Sequence, residues 1–276
     1  MSEHEYHLFR AKFIKPMYVH LYNPSAIPSE IFKASILECP EYPVNESTIW
    51  HIGNVQSISE TKGIFAVGKT TKRTAEKYDD QSKSFYLADE ESSPYTSVVF
   101  DSNLGLLAIR KKTQLAANTK AIAQKLKSLF MNASIVKDLS VEVLVEHIPD
   151  PTDFITKINS AYSITYFKST FTGPNPVDAD KVFQKPLSVY CQTIGGENGT
   201  IAVFGRSLSA EVVEAVAHSS AATANSATAK VKQFATSKPV KISFKGDPTR
   251  MVANSDIAPF DLAELMESAY RRVKGD

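Results

Sequence analysis

Cysteine is scarce in this sequence, and it lacks the long apolar runs from which membrane-spanning helices form. Its two cysteines, Cys39 and Cys191, stand far apart, which favours buried, reduced thiols over a disulfide or a metal site. No apolar run reaches the roughly 18 residues that a spanning helix needs, and the N-terminal segment MSEHEYHLFRAKF lacks the apolar core of a signal peptide. We therefore expect a cytoplasmic protein with no membrane partner.

An excess of charge of either sign is also missing. The 276 residues include 31 Lys and Arg against 30 Asp and Glu, which gives a net charge of +1. The molecule as a whole therefore does not attract nucleic acid, and binding of this kind would need a local basic patch. The composition, 43% hydrophobic and 22% charged, is typical of a folded protein and argues against a mainly disordered chain.

The usual signatures of catalytic and metal sites do not occur. The six histidines form no His-x-x-x-His pair, and no Gly-x-Ser-x-Gly motif is present. The letters GIFAVGKT at 63–70 satisfy the Gly-x-x-x-x-Gly-Lys-Thr pattern of a phosphate-binding loop. The residues between the two glycines, however, are apolar and typical of a strand. We interpret the match as a coincidence and expect no cofactor.

Short apolar runs bounded by turn residues indicate many strands. The runs 97–100 and 104–109, with turn residues at 101–103 between them, predict a β-hairpin. Apolar residues at helical spacing over 115–130 then predict an amphipathic helix. The fold class is therefore α+β: a β-rich N-terminal half with this hairpin and helix, followed by a more alternating α/β C-terminal half.

The segment 131–137 separates two well-defined elements and has no strong periodicity of its own. It is the natural boundary between a β-rich α+β domain at 1–134 and an alternating α/β domain at 135–276. The alternative is one continuous unit, because strands of the two halves can share a sheet.

One histidine lies next to several carboxylates. His147 ends a predicted strand over 140–148, Glu146 precedes it, and Asp150 and Asp153 follow in the next turn. A histidine in this position could serve as the general base of a metal-independent nuclease or toxin enzyme. The simpler interpretation, which we favour, is that Asp150 or Thr152 caps a short helix while His147 is half-exposed.

Basic residues form two clusters along the chain. Their members are Lys69, Lys72, Arg73, Arg110, Lys111 and Lys112. Aromatic residues that can stack on bases stand close to the first cluster: Tyr78, Phe85 and Tyr86. If the two clusters flank the same sheet, the six cations form a contact surface for RNA or DNA. The alternative is a solvated hairpin loop, in which neighbouring acids cancel much of the charge, with a second, acidic loop at 89–91.

The order of elements over residues 95–180 resembles an uncharacterised bacterial family that is encoded among defence and mobile-element genes. The resemblance is carried by the hairpin and helix, then SVEVLVEHIPDPTDF, then SITYFKSTFTGPNPVD. In that family the last strand ends in Pro-Asn-Pro-Asp. Here Pro174, Asn175 and Pro176 match, while Val177 displaces Asp178.

The resemblance carries no catalytic residues over to this chain. It implies a non-catalytic binding or regulatory component of a bacterial antiviral defence or toxin–antitoxin type system. Such a component would contact nucleic acid, or a protein partner of the same system, through the basic patch. The nuclease or toxin enzyme that uses His147 is the alternative function.

Overall fold

A computed structural model describes residues 2–15, 27–172, 180–244 and 246–276. The strands are β1 (Glu3–Ile14), β2 (Glu41–Asn45), β3 (Thr48–Ser57), β4 (Lys62–Asp79), β5 (Ser84–Ser92), β6 (Tyr95–Asp101), β7 (Leu106–Arg110), β8 (Glu142–His147), β9 (Ser163–Thr172), β10 (Asn198–Phe204), β11 (Ala227–Lys232), β12 (Val240–Ser243) and β13 (Arg250–Asn254). The helices are α1 (Pro28–Leu37), α2 (Thr119–Asn132), α3 (Ser134–Asp138), α4 (Thr152–Asn159), α5 (Gln184–Thr193), α6 (Ala210–Ala222) and α7 (Pro259–Lys274). With 30% helix, 41% strand and a strand-rich N-terminal half, the predicted α+β class is confirmed.

The larger sheet has nine antiparallel strands. Its main path runs β13-β1-β7-β6-β4-β3-β2, with β5 paired to β4 and β8 paired to β1. Strands β8 and β13 come after residue 134 in the chain but pair with β1, so this sheet takes strands from both sides of that position. This pairing does not test whether residues 135–276 fold as a separate domain, so the two-domain division remains a prediction.

The predicted hairpin is confirmed as β6 and β7, with Val98 opposite Ile109. Its turn is held by Asp101, whose Oδ1 accepts hydrogen bonds from the backbone N–H groups of Asn103 and Leu104 at 2.9 and 3.1 Å. Gly105 follows with a φ of +65°, and a Cβ there would lie 2.5 Å from the Ala11 carbonyl oxygen. Because the turn takes up these residues, β7 begins at Leu106 and not at the predicted 104.

The predicted amphipathic helix is also confirmed, as α2. Asn118 caps it by accepting a hydrogen bond from Ala121 N–H at 2.9 Å, so the helix starts four residues after the first apolar position, Leu115. Its apolar residues pack against one face of the larger sheet together with α1 and α3. Helix α7 covers the opposite face, where it packs against β4, β6 and β13.

A smaller antiparallel sheet has the strand order β10-β9-β11-β12. Helices α4 and α6 pack on it around a third apolar core. Strand β9 ends at Thr172, and the predicted Pro174–Asn175–Pro176 turn and Asp178 lie outside the described residues.

Two local predictions need correction. Residues 70–79 and 89–91 are strand, in the long hairpin of β4 and β5, and not solvated loops. Neither strand shows apolar alternation there because most of this hairpin is exposed. Both cysteines are free, and Cys191 is buried as predicted, but Cys39 is exposed. Among the described helices, none combines the length and apolarity needed to cross a membrane.

Candidate nucleic-acid interface

A row of lysines and aromatic rings crosses the end of the larger sheet. Tyr42 of β2, Trp50 of β3 and Lys69 of β4 are successive cross-strand partners, so their side chains share one face of the sheet. The Lys69 Nζ atom lies 6.0 Å from the centroid of the Trp50 ring, and Lys125 Nζ of α2 lies 5.6 Å from the centroid of the Tyr42 ring. Both distances are in the range of cation–π interactions.

Tyr95 and Lys112 form a third pair at the same end of the sheet. Tyr95 lies on the opposite face from Lys69, because its cross-strand partner is Gly68 and side chains alternate along β4. Lys112 Nζ lies 5.2 Å from the centroid of the Tyr95 ring and donates a hydrogen bond to the Tyr95 carbonyl oxygen at 2.8 Å. Lys69 N–H donates to the carbonyl oxygen of Pro94 at 3.1 Å, so the segment 94–95 contacts both lysines. We call Tyr42, Trp50, Lys69, Tyr95, Lys112 and Lys125 the lysine–aromatic row.

The Gly-Lys-Thr sequence has a structural explanation in this row. Residues 63–70 lie within β4, as the strand interpretation predicts, and so form no phosphate-binding turn. A Cβ at Gly68 would lie 2.7 Å from the Tyr95 Cβ, so this glycine allows β6 to approach β4 closely. Gly63 is similarly crowded, because a Cβ there would lie 2.6 Å from the Gln56 carbonyl oxygen.

The second basic cluster consists of Arg110, Lys111 and Lys112 at the end of β7, and its three members have different partners. Arg110 Nη2 lies 2.5 Å from His4 Nε2, and burial, together with the Arg110 charge, lowers the pKa of His4. Lys111 Nζ donates to Glu5 Oε2 at 3.0 Å. The pKa of Glu5 is lowered chiefly by its hydrogen bond from His7. Arg110 and Lys111 thus have local partners, whereas Lys112 belongs to the lysine–aromatic row.

Lys72 lies among acids on the β4–β5 hairpin. Side chains alternate along β4, so Lys72 faces away from the side of Lys69. Its cross-strand partner is Glu91, and it lines an open cavity of about 430 Å³ with Thr74, Asp89 and Glu90. The backbone of Arg73 lies opposite that of Glu90.

The aromatic residues near the first cluster lie toward the tip of this hairpin. Tyr78, Phe85 and Tyr86 are exposed, and the Tyr78 and Phe85 rings are 5.0 Å apart. These rings are therefore accessible, but Phe85 and Tyr86 belong to the acidic strand β5 and Tyr78 to the adjacent end of β4, so none of them lies in the lysine–aromatic row.

The four predicted catalytic candidates divide into two pairs. His147 and Glu146 line a cavity of about 270 Å³ that Lys120 of α2 also lines. Asp150 instead accepts hydrogen bonds from Thr152 N–H at 2.9 Å and from Thr152 Oγ1 at 2.6 Å.

The other aspartate also has a local partner. Asp153 accepts a hydrogen bond from Lys157 Nζ at 2.8 Å. Asp150 thus contacts the first residue of α4, and Asp153 contacts a residue within it. The predicted cap by Asp150 or Thr152 is wrong, because Pro151 occupies the N-cap position and no side chain caps the helix.

Comparison with known proteins adds no family assignment, because no protein-family model and no curated protein matches the chain. Within the described ranges, no group of three or more His, Cys, Asp or Glu residues is placed to hold a metal ion. The function is therefore argued from the geometry of the side chains.

The cavity at the end of β8 contains a neutral imidazole and a carboxylate that is already paired. Burial, and then the charge of Lys120, lower the pKa of His147, so that its imidazole is neutral at pH 7. Glu146 Oε2 accepts a hydrogen bond from Lys12 Nζ at 3.1 Å, and Lys12 also donates to Thr172 Oγ1 at 3.0 Å. The side chain of Lys12 is only 4% exposed, and burial lowers its pKa.

Sequence reasoning missed several of these residues. It assigned no role to Tyr42, Trp50, Tyr95 or Lys125. The register that aligns Tyr42 with Trp50, and the packing of α2 beside β2, are not visible in any one segment. It also missed Lys12. The alternation of charged and apolar residues in β1 was the available signal, but this alternation does not show that both faces of the strand are covered.

Proposed function

We propose that this protein is a non-catalytic nucleic-acid-binding component of a bacterial antiviral defence or toxin–antitoxin type system. It acts in the cytoplasm and binds single-stranded RNA or DNA through the lysine–aromatic row. The observation that supports binding is the grouping of three lysines at one end of the larger sheet, each beside an aromatic ring. Trp50 is 4% exposed and belongs to the core, so the exposed ring of Tyr95 is the one available to a base. The resemblance over residues 95–180 supports the biological system.

The chemistry of the row suits a single strand. Among the described residues, none of Lys69, Lys112 and Lys125 forms an ion pair with a carboxylate, so their charges are available to phosphates. The Tyr95 side chain is exposed, and its ring can stack on a base of any sequence. Lysine has no fixed planar geometry, so we expect little sequence preference.

The first prediction concerns the salt dependence of this binding. We expect the triple variant K69A/K112A/K125A to bind a labelled single-stranded oligonucleotide about a hundredfold more weakly than wild type at 0.1 M salt. The reason is that each phosphate contact contributes roughly 0.7 to the slope of log affinity against log salt, and three contacts are lost. Fluorescence anisotropy over a salt series measures both quantities, with RNA and DNA in parallel.

A matched control is K157A, which removes an exposed lysine that is paired with Asp153 on α4. It should keep the affinity and the slope of wild type. Wild type that does not bind either oligonucleotide at low salt, or a triple variant with the wild-type slope, would contradict the proposal. The double variant K72A/R73A tests the two predicted cations on the β4–β5 hairpin, and we expect a smaller loss because Lys72 lies opposite Glu91.

A second candidate function rests on the cavity that His147, Glu146 and Lys120 line. A neutral imidazole beside an ammonium group could act as the general base of a metal-independent nuclease, with Lys120 near the phosphate. The second prediction follows from it: hydrolysis of RNA or DNA in the presence of EDTA should be lost in H147A and kept in H51A.

The pH profile gives an independent test. The rate should rise with pH through a value below 6.5 and then level off, because the lowered pKa makes the basic form of His147 dominant at neutral pH. Equal rates of hydrolysis in wild type and H147A would contradict the nuclease function.

A further inference from the structure

One open edge of the smaller sheet lacks the usual protection against pairing. Strand β10 ends that sheet, and its sequence, NGTIAVF, contains no charge and no proline. Among the described strands that end a sheet path, β2 carries Glu41 and Pro43, β12 carries Lys241, and β13 carries Arg250. Charges and prolines on edge strands normally prevent one sheet from adding to another.

The hydrogen-bonding groups of this edge can be assigned from the register. Gly205 N–H donates to the Thr165 carbonyl oxygen at 3.2 Å, in the same register that places Val203 opposite Phe167. Because bonded and non-bonded pairs alternate in an antiparallel ladder, Gly199, Ile201 and Val203 bond to β9. The residues between and beside them direct their N–H and C=O groups to the open edge: Asn198, Thr200, Ala202 and Phe204.

We propose that a second copy of this chain pairs with this edge. The two β10 strands run antiparallel about a twofold axis at Ile201, so that Thr200 lies opposite Ala202 of the second copy. Asn198 then lies opposite Phe204. Every bonded pair in this register joins two residues whose backbone groups face the open edge, and no like charges are brought together.

The side chains around the edge favour a second copy as the occupant. Apolar side chains are exposed on β10 and on the neighbouring helix α6: Val203 is 44% exposed, Phe204 74% and Val212 60%. Ile201, Val203 and Val212 also line an apolar groove of about 330 Å³ between the sheet and α6. A twofold axis at Ile201 places the two grooves next to each other on the same face of the combined sheet, so the apolar surfaces of the two copies adjoin.

The proposal does not depend on nucleic-acid binding, since the lysine–aromatic row lies on the larger sheet. The third prediction is that the full chain dimerises with increasing concentration in sedimentation velocity over about 1–100 µM, in the range of ordinary protein associations. In A202P an outward-facing N–H is lost while the bonds to β9 remain, so the dissociation constant should rise at least about tenfold.

A pair of double variants tests the register. In T200K/A202K each new lysine lies opposite a lysine of the second copy, and we expect a monomer. In T200K/A202D each lysine lies opposite an aspartate, and we expect the dimer to persist. Both positions are exposed, so circular dichroism melts should remain close to that of wild type.

Two results would overturn the proposal. The first is a wild-type chain that stays monomeric over the whole concentration range. In that case β10 does not pair with a second copy, and a strand of another protein would be its partner. The second is a dimer that A202P and T200K/A202K do not weaken, which would place the interface elsewhere.

Discussion

Phe32→Ala should lower the free energy of unfolding by about 3–5 kcal/mol, because it removes a large side chain from a packed core. Phe32 of α1 is 1% exposed. Its ring centroid lies 5.1 Å from that of Phe13, 5.5 Å from that of Phe130 and 6.2 Å from that of Phe100. These rings join α1 and α2 to the larger sheet, so the cavity would open where both helices pack.

Urea denaturation measures this effect. The midpoint should fall with little change in the slope, since the surface exposed on unfolding is nearly the same in both proteins. Phe85→Ala is the matched control, because Phe85 is 79% exposed and its loss should change the free energy by less than about 1 kcal/mol. Similar losses in the two variants would show that the aromatic cluster does not stabilise the fold.

Glu146→Gln should lower the free energy of unfolding by about 2–3 kcal/mol, because it leaves the buried Lys12 ammonium without its charged partner. A fully buried pair would lose about 3–5 kcal/mol on such a change. The side chain of Glu146 is 43% exposed, so solvent screens part of the interaction, and we expect the smaller value.

A double-mutant cycle separates this structural role from a catalytic one. K12M/E146Q should be more stable than E146Q alone, because Met fills the buried position without a charge. If E146Q is as stable as wild type, Lys12 does not depend on Glu146, and a catalytic role for that carboxylate regains support. Activity of E146Q must therefore be compared at a temperature where the variant is folded.

The pH dependence of stability provides another test of the Lys12 environment. The pKa of Lys12 is lowered in the folded state, chiefly by burial. Between that value and the ordinary lysine pKa near 10.4, the unfolded state binds more protons, so Lys12 makes stability rise with pH in this window. The K12M variant should lack this rise in urea titrations at successive pH values.

The sequence by itself determined the elements whose rules are local. Turn residues at 101–103 between two β-branched runs specified the β6–β7 hairpin, and apolar spacing specified α2. Where a hairpin is exposed on both strands, as in most of β4–β5 beyond residue 71, the alternation is absent and the polar residues were wrongly interpreted as loops.

The grouping of functional side chains was decided by the tertiary structure. The adjacent residues Arg110, Lys111 and Lys112 have three different partners, whereas Tyr42, Trp50 and Lys69 come together from three strands. The physical reason is that register and side-chain alternation, and not distance along the chain, decide which face a residue occupies.

The pairing of Lys12 with Glu146 shows the same dependence on the fold. The two residues are 134 positions apart and meet because β1 and β8 are neighbours in the sheet. A sequence in which charged and apolar residues alternate predicts a strand with one solvent-exposed face. The face of β1 that carries Lys12 is buried because the smaller sheet and α7 pack against it. This packing, and not the sequence of β1, decides which charged residues need a partner there.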